Sequence, residues 1–125
     1  MYKITLLIPT RERAQLLRCC LKTCLDQDWD NCEILISDNY SEDETKKIVD
    51  SFVDKLPIRY INPGKRLGMS EHWQFAIAQV KSEFLLIIGD DDGLPSRAIA
   101  RMKAIVMSHP NTDAIYWAHN IFNYP

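Results

Sequence analysis

Three consecutive aspartates, Asp90-Asp91-Asp92, stand directly behind Gly89 and the apolar run Phe84-Leu85-Leu86-Ile87-Ile88. Adjacent carboxylates repel one another, and packing gains nothing from that repulsion. A divalent cation, or a ligand that arrives with one, relieves it. An acidic cluster just past the C-terminal end of a buried strand also stands where open α/β sheets bind ligands. The competing explanation is an acidic turn in solvent, whose charge favours the N-terminus of the helix behind it. The triplet alone does not choose between the two.

The elements that must position it follow from periodicity. Residues 3–8 read as a buried strand that Pro9 and Thr10 end, and residues 12–27 as a helix with Leu16, Leu17, Cys20, Leu21, Cys24 and Leu25 on one face. Residues 33–37 form a second buried strand, followed by the turn Asp38-Asn39-Tyr40. Ser41 and Glu44 match a capping box, opening a helix that carries Ile48, Val49, Phe52, Val53 and Leu56. Arg59 within residues 58–61 marks an edge strand, and Asn62-Pro63-Gly64-Lys65 a turn. A third helix starts near Ser70 with Trp73, Ala76, Ile77 and Val80 facing inward. Pro95 suits the first turn of a fourth helix carrying Ala98, Ile99, Met102, Ile105 and Val106, and residues 113–117 read as a fifth strand. The βαβαβαβαβ pattern predicts a Rossmann-like, doubly wound, mostly parallel sheet in a three-layer α/β/α arrangement.

Composition narrows the classes. The chain has 125 residues, enough for one domain with a core. A net charge of −2 supplies no global field for nucleic acid or anionic lipid. No apolar run approaches the ~20 residues of a membrane span. Met1-Tyr2-Lys3 leads straight into a strand without a signal-peptide pattern, so the expected location is cytoplasmic, with peripheral membrane contact left open. Cys19, Cys20, Cys24 and Cys32 lack the paired spacing of zinc modules and read as reduced thiols, mostly in the core, ahead of a disulfide or a metal site.

In such a sheet the strand ends line up along one edge. That edge collects Thr10, Arg11, Arg13, Asp38, Asn39, Lys65, Arg66 and the three aspartates. A carboxylate at the second strand end can accept from a base or a ribose. The aspartates suit a cation that bridges phosphate oxygens, and the cationic side chains suit the phosphates. These are the needs of a nucleoside diphosphate. No G-x-G-x-x-G follows the first strand and no G-x-x-x-x-G-K-[ST] occurs, which argues against dinucleotide dehydrogenases and P-loop enzymes. The first loop, Pro9-Thr10-Arg11-Glu12-Arg13, also lacks the glycines of nucleotidyltransferases.

Taken in order, five segments resemble the family 2 glycosyltransferases, which have the GT-A fold. They are Ile8 to Arg13; Leu16 with Leu21, Leu25 and Gln27; Glu33 to Thr45, with its D-[DN]-x-S-x-D-x-T turn; Leu67-Gly68-Met69-Ser70 with Trp73 and Ala76-Ile77; and Ser82 to Asp92 with Pro95. The resemblance implies a donor pocket lined by Pro9, Thr10, Arg11, Arg13, Arg66 and Gly68. It implies that Asp38 contacts the nucleobase of a UDP-sugar and that Asp90 lies near the ribose. Asp91 would ligate a Mg²⁺ or Mn²⁺, with Asp92 as the alternative ligand. Gly89 stands where the common D-x-D-D form has its first aspartate. The implied reaction is metal-dependent transfer of a sugar to a saccharide or lipid-linked acceptor.

The resemblance also implies a catalytic base beyond residue 125. Residues 1–125 are therefore expected to be a single nucleotide-sugar-binding domain, incomplete at the C-terminus. The alternative is a non-catalytic nucleotide-binding or interaction module. Of the remaining residues, His72 is expected in solvent or at a cap, His109 at the surface and His119 after the fifth strand. Trp73 and Trp117 are expected in the core, and Trp29 as a loop anchor.

Overall fold

The computed structural model describes residues 3–118 and 121. Among them, eight elements alternate: β1 (Ile4–Thr10), α1 (Ala14–Thr23), β2 (Cys32–Asp38), α2 (Thr45–Asp50), β3 (Ile58–Ile61), α3 (Met69–Ala78), β4 (Phe84–Ile87) and α4 (Ala98–Ser108). The four strands are parallel, in the order β3-β2-β1-β4. β3 is an edge strand, as Arg59 implies.

The period-2 alternation of the strands builds two cores of unequal size. Ile4, Leu6, Ile8, Ile34 and Ile36 face α1, α2 and α4 and pack with Leu17, Cys20, Leu21, Val49, Phe52, Ile99 and Met102. Leu7 and Leu35 point to the other face, where Ala76 of α3 covers them. Each fully buried aliphatic chain contributes about 1.5–3 kcal/mol. All four cysteines are free thiols, and Cys20, Cys24 and Cys32 are buried. A hydrogen bond with Cys24 and burial hold the Cys20 thiol far above its ordinary pKa, so it behaves as a packing group.

β1 runs through Pro9 and Thr10 rather than stopping before them. Pro9 pairs with Ser37 and Thr10 with Asp38, while the β4 ladder ends at Leu7 with Ile87. Pro9 lies two residues past that last pair, so its missing N–H deprives β4 of no partner.

Several elements differ from expectation. No fifth strand forms at residues 113–117; the described chain there is irregular, and Trp117 is half-exposed rather than core. α2 has only six residues, and Ser41 is not its cap. Instead Asp43 accepts Thr45 N through Oδ1 and Ala14 N through Oδ2, so one carboxylate satisfies the starts of both α2 and α1. On α3 the inward residues are His72 and Ala76, whereas Trp73 and Ile77 are 40% and 43% exposed. His119 lies outside the described residues.

Candidate functional site: the C-terminal edge of the sheet

The chain leaves β1 toward β2 on one side, while β4 packs on the other. The strand order therefore reverses between β1 and β4, which makes this the switch point where open α/β sheets bind ligands. Thr10 and Asp90 meet there. Thr10 Oγ1 donates to Asp90 Oδ2 at 2.8 Å, and Asp90 is buried. Arg13, beside the start of α1, places Nη1 3.3 Å from both Asp90 Oδ1 and Asp91 Oδ2.

The turn after β4 is tight. Gly89 N donates to Asp92 Oδ2 at 2.8 Å, and Asp92 N to Gly89 O at 3.1 Å. The Asp91 and Asp92 carboxylates fold over Gly89 so closely that a Cβ there would lie 2.6 Å from Asp91 Oδ1 and 3.0 Å from Asp92 Oδ2. A residue with a side chain at position 89 would have to push both carboxylates away. This cradle of carboxylate oxygens fits a hard divalent cation. No group of three or more His, Cys, Asp or Glu side chains converges among the described residues. A cation at Asp91 and Asp92 would take its remaining oxygen ligands from water or a phosphorylated ligand.

Asp38, at the end of β2, is almost wholly buried (1% exposed). Its Oδ1 accepts Ser41 N at 3.0 Å and Ser41 Oγ at 2.6 Å, and its Oδ2 accepts the Tyr60 hydroxyl at 2.6 Å. Burial, reinforced by Asp38, pushes the Tyr60 pKa up to about 12, which keeps this donor protonated. Asp38 thus organises the turn that follows β2; in this arrangement it presents no open oxygen to solvent.

The remaining expected site residues ring a hollow of about 330 Å³. Arg11, Glu12, Tyr40, Glu42, Gly64, Lys65 and Arg66 line it. Its wall includes two residues with left-handed backbone, Glu12 (φ 53°) and Tyr40 (φ 59°), a conformation that side chains other than glycine's seldom adopt. Gly68 caps α3, and its N–H reaches Glu71 Oε2 at 3.3 Å. Thr10, Arg13, Asp90 and Asp91 form one cluster, and Arg11 and Arg66 line the separate hollow. Pro9, half-buried beside Thr10 in β1, belongs to neither set.

Two residues had no such role in the sequence reading. Asn39 clamps the third loop, its Nδ2 donating to Leu67 O at 2.9 Å and its Oδ1 accepting Leu67 N at 2.8 Å. An amide beside a strand-end aspartate was the available signal. His72 is buried rather than solvated, with Nε2 2.8 Å from Ser37 Oγ beneath the Asp38 turn. Burial lowers its pKa against the opposing pull of Asp38. Its i,i+4 relation to the buried Ala76 was the available signal.

No helix among the described residues is long and apolar enough to cross a membrane. The fold matches solved structures. S. aureus TarS in complex with UDP aligns with a TM-score of 0.79 at 22% identity, over 86% of this chain and 33% of that one. The mannosyltransferase PcManGT from Pyrobaculum calidifontis, in complex with GDP-Man and Mn²⁺, aligns with a TM-score of 0.68 at 24% identity, over 78% of this chain and 30% of that one. At these identities the likeness is one of fold. In sequence, the chain is 32% identical to the GalNAc(5)-diNAcBac-PP-undecaprenol beta-1,3-glucosyltransferase of Campylobacter jejuni, over 82% of this chain and 34% of that protein. It is 28% identical to a PGL/p-HBAD biosynthesis glycosyltransferase of Mycobacterium tuberculosis, over 90% of this chain and 44% of that protein. The chain thus spans between a third and under half the length of these curated relatives. The model of the family described as "Glycosyl transferase family 2" matches residues 5–123, nearly the whole chain, and the chain belongs to that family.

Proposed function

We propose that this chain is the donor-binding part of a glycosyltransferase that uses a nucleoside-diphosphate sugar, a UDP-sugar in the first instance. The acceptor would be a saccharide or a lipid-linked acceptor, and the expected location is the cytoplasm. The observation that carries this reading is the meeting of Thr10, Arg13, Asp90 and Asp91 at the β1/β4 switch point, with Asp92 folded over Gly89 beside them. There a buried carboxylate can accept a ribose hydroxyl, a guanidinium can face phosphate oxygens, and two further carboxylates can hold Mg²⁺ or Mn²⁺. Bound at Asp91 and Asp92, the metal would stabilise the negative charge on the departing nucleoside diphosphate.

The chain's own residues divide the rest of the work. Thr10 would lie at the pocket floor with Pro9 behind it, and Thr10 keeps Asp90 oriented. Arg11 and Arg66 flank the hollow on the base side, where Asp38 holds the Tyr40-Ser41 wall in place; Gly68 starts α3 beside them. The general base of an inverting transfer is assigned outside these 125 residues, in keeping with relatives more than twice as long.

Calorimetric titration with UDP, in Mn²⁺ and in EDTA, tests the reading. UDP should bind more tightly with Mn²⁺, and Asp91→Ala combined with Asp92→Ala should abolish the difference. Binding indifferent to EDTA and to both substitutions would remove the metal assignment. Binding without any sugar transfer or hydrolysis would favour the non-catalytic module.

A further inference from the structure

We propose that Arg13 makes metal and nucleotide binding mutually dependent by acting as an internal cation that each ligand alone must contend with. This inference rests on the donor-site reading above. A single nitrogen, Nη1, lies 3.3 Å from Asp90 Oδ1 and 3.3 Å from Asp91 Oδ2. These distances exceed the ~2.7–2.9 Å of strong charge-assisted bonds, and the contact is not the bidentate fork that guanidinium makes at its best. The side chain is 53% exposed. Arg13 is therefore held by long, divided contacts that leave its fork open to a better-matched anion.

Its position sets the coupling. Asp91 carries the oxygens proposed for the metal, so a divalent cation arriving alone meets a guanidinium already on that carboxylate. A nucleoside diphosphate arriving alone brings its negative charge beside three aspartates that a single guanidinium offsets only in part. When both arrive, the diphosphate offers Arg13 a partner whose geometry suits the fork, and it supplies oxygen ligands to the metal. Asp90 stays in place when Arg13 leaves, because Thr10 Oγ1 still donates to its other oxygen at 2.8 Å. The coupling is reciprocal: whatever factor the nucleotide adds to metal affinity, the metal adds to nucleotide affinity.

The test is a binding cycle that needs no turnover. Mn²⁺ affinity is measured with and without UDP, and UDP affinity with and without Mn²⁺, by calorimetry corrected for the Mn²⁺–UDP complex in solution. In the native chain UDP should tighten Mn²⁺ binding by roughly tenfold or more, within the usual range of such couplings. Arg13→Gln should bind Mn²⁺ alone several-fold more tightly and show a coupling reduced by a similar factor. Arg13→Lys, which keeps the charge, should retain the weak binding of Mn²⁺ alone. Unchanged or weaker Mn²⁺ binding by a folded Arg13→Gln, or an undiminished coupling, overturns the proposal. Failure of the native chain to bind UDP would instead overturn the donor-site reading beneath it.

Discussion

At the N-terminal edge of the sheet, Arg59 grips Glu33 with two bonds, Nε to Oε2 at 3.0 Å and Nη2 to Oε1 at 2.8 Å. Thr5 Oγ1 donates to the same carboxylate at 3.0 Å, and Arg59 also reaches Gln79 O at 2.9 Å. At the C-terminal edge, Arg13 touches Asp90 and Asp91 through one nitrogen at 3.3 Å. Both are arginine–carboxylate contacts on one sheet, yet the first is bidentate, shielded and tied to two further groups, while the second is divided and open to solvent. The difference separates a contact that holds the fold from one that, under the proposal above, would be exchanged for a ligand. The hollow of about 390 Å³ lined by Glu33, Pro57, Ile58, Arg59 and Lys81 belongs to the first kind, because its two best-placed charges already satisfy each other.

The largest effect should come from breaking the locked pair. Arg59→Ala strands a carboxylate that is 3% exposed and should cost about 3 kcal/mol or more in urea unfolding. The Arg59 bonds hold the Glu33 pKa below its ordinary value. The folded protein therefore resists protonation, so this stability is present above the unfolded pKa of about 4.3 and drains away as pH falls through the lower folded value. Arg59→Ala should flatten that acid limb. A cost no larger than that of an exposed pair would erase the contrast between the two edges.

Arg13→Gln should be far milder, about 1 kcal/mol or less, and the Arg13 contribution should shrink in high salt. An unfolding free energy reduced as much as in Arg59→Ala would show Arg13 to be structural. The smallest effect concerns His72. Burial depresses its pKa, so the unfolded chain binds the proton more readily. The resulting stability is present above about pH 6.5 and is lost as pH falls through the folded pKa. His72→Gln should flatten this part of the profile in urea unfolding between pH 7.5 and 5.5. A profile that keeps its slope would mean that another group titrates there.

The central strands were legible because parallel strands buried on both faces are near-continuously apolar, as at residues 6–8 and 34–36. The acidic turn was legible for the same reason: it breaks such a run. What failed were local signals that tertiary contacts overrode. Ser41 and Glu44 spell a capping box, but the Ser41 hydroxyl is taken by Asp38 and by the backbone N–H of Glu12, and Asp43 caps in its place. The apolar periodicity of α3 put Trp73 inward, yet the sheet face beneath offers a hydroxyl, Ser37, and the helix turns His72 toward it. The alternation at residues 113–117 satisfies a strand pattern, but pattern alone supplies no neighbouring strand to pair with. The pairing of Arg13 with two aspartates almost eighty residues away had no local trace at all.

The first two strand-end loops are laced together. Asn39 N bonds Thr10 O, Glu12 N bonds Ser41 Oγ, Glu42 N bonds Glu12 Oε1, and Ala14 N bonds Asp43 Oδ2. Asn39 then carries the seam across to Leu67. Half of the pocket rim is in effect one stitched plate, and no part of it can bend without parting several bonds at once. Adjustment to a ligand is thereby left to exposed side chains at its margin, among them Arg13, Lys65 and Arg66. Under the proposed function, the plate would set where the nucleoside end lies.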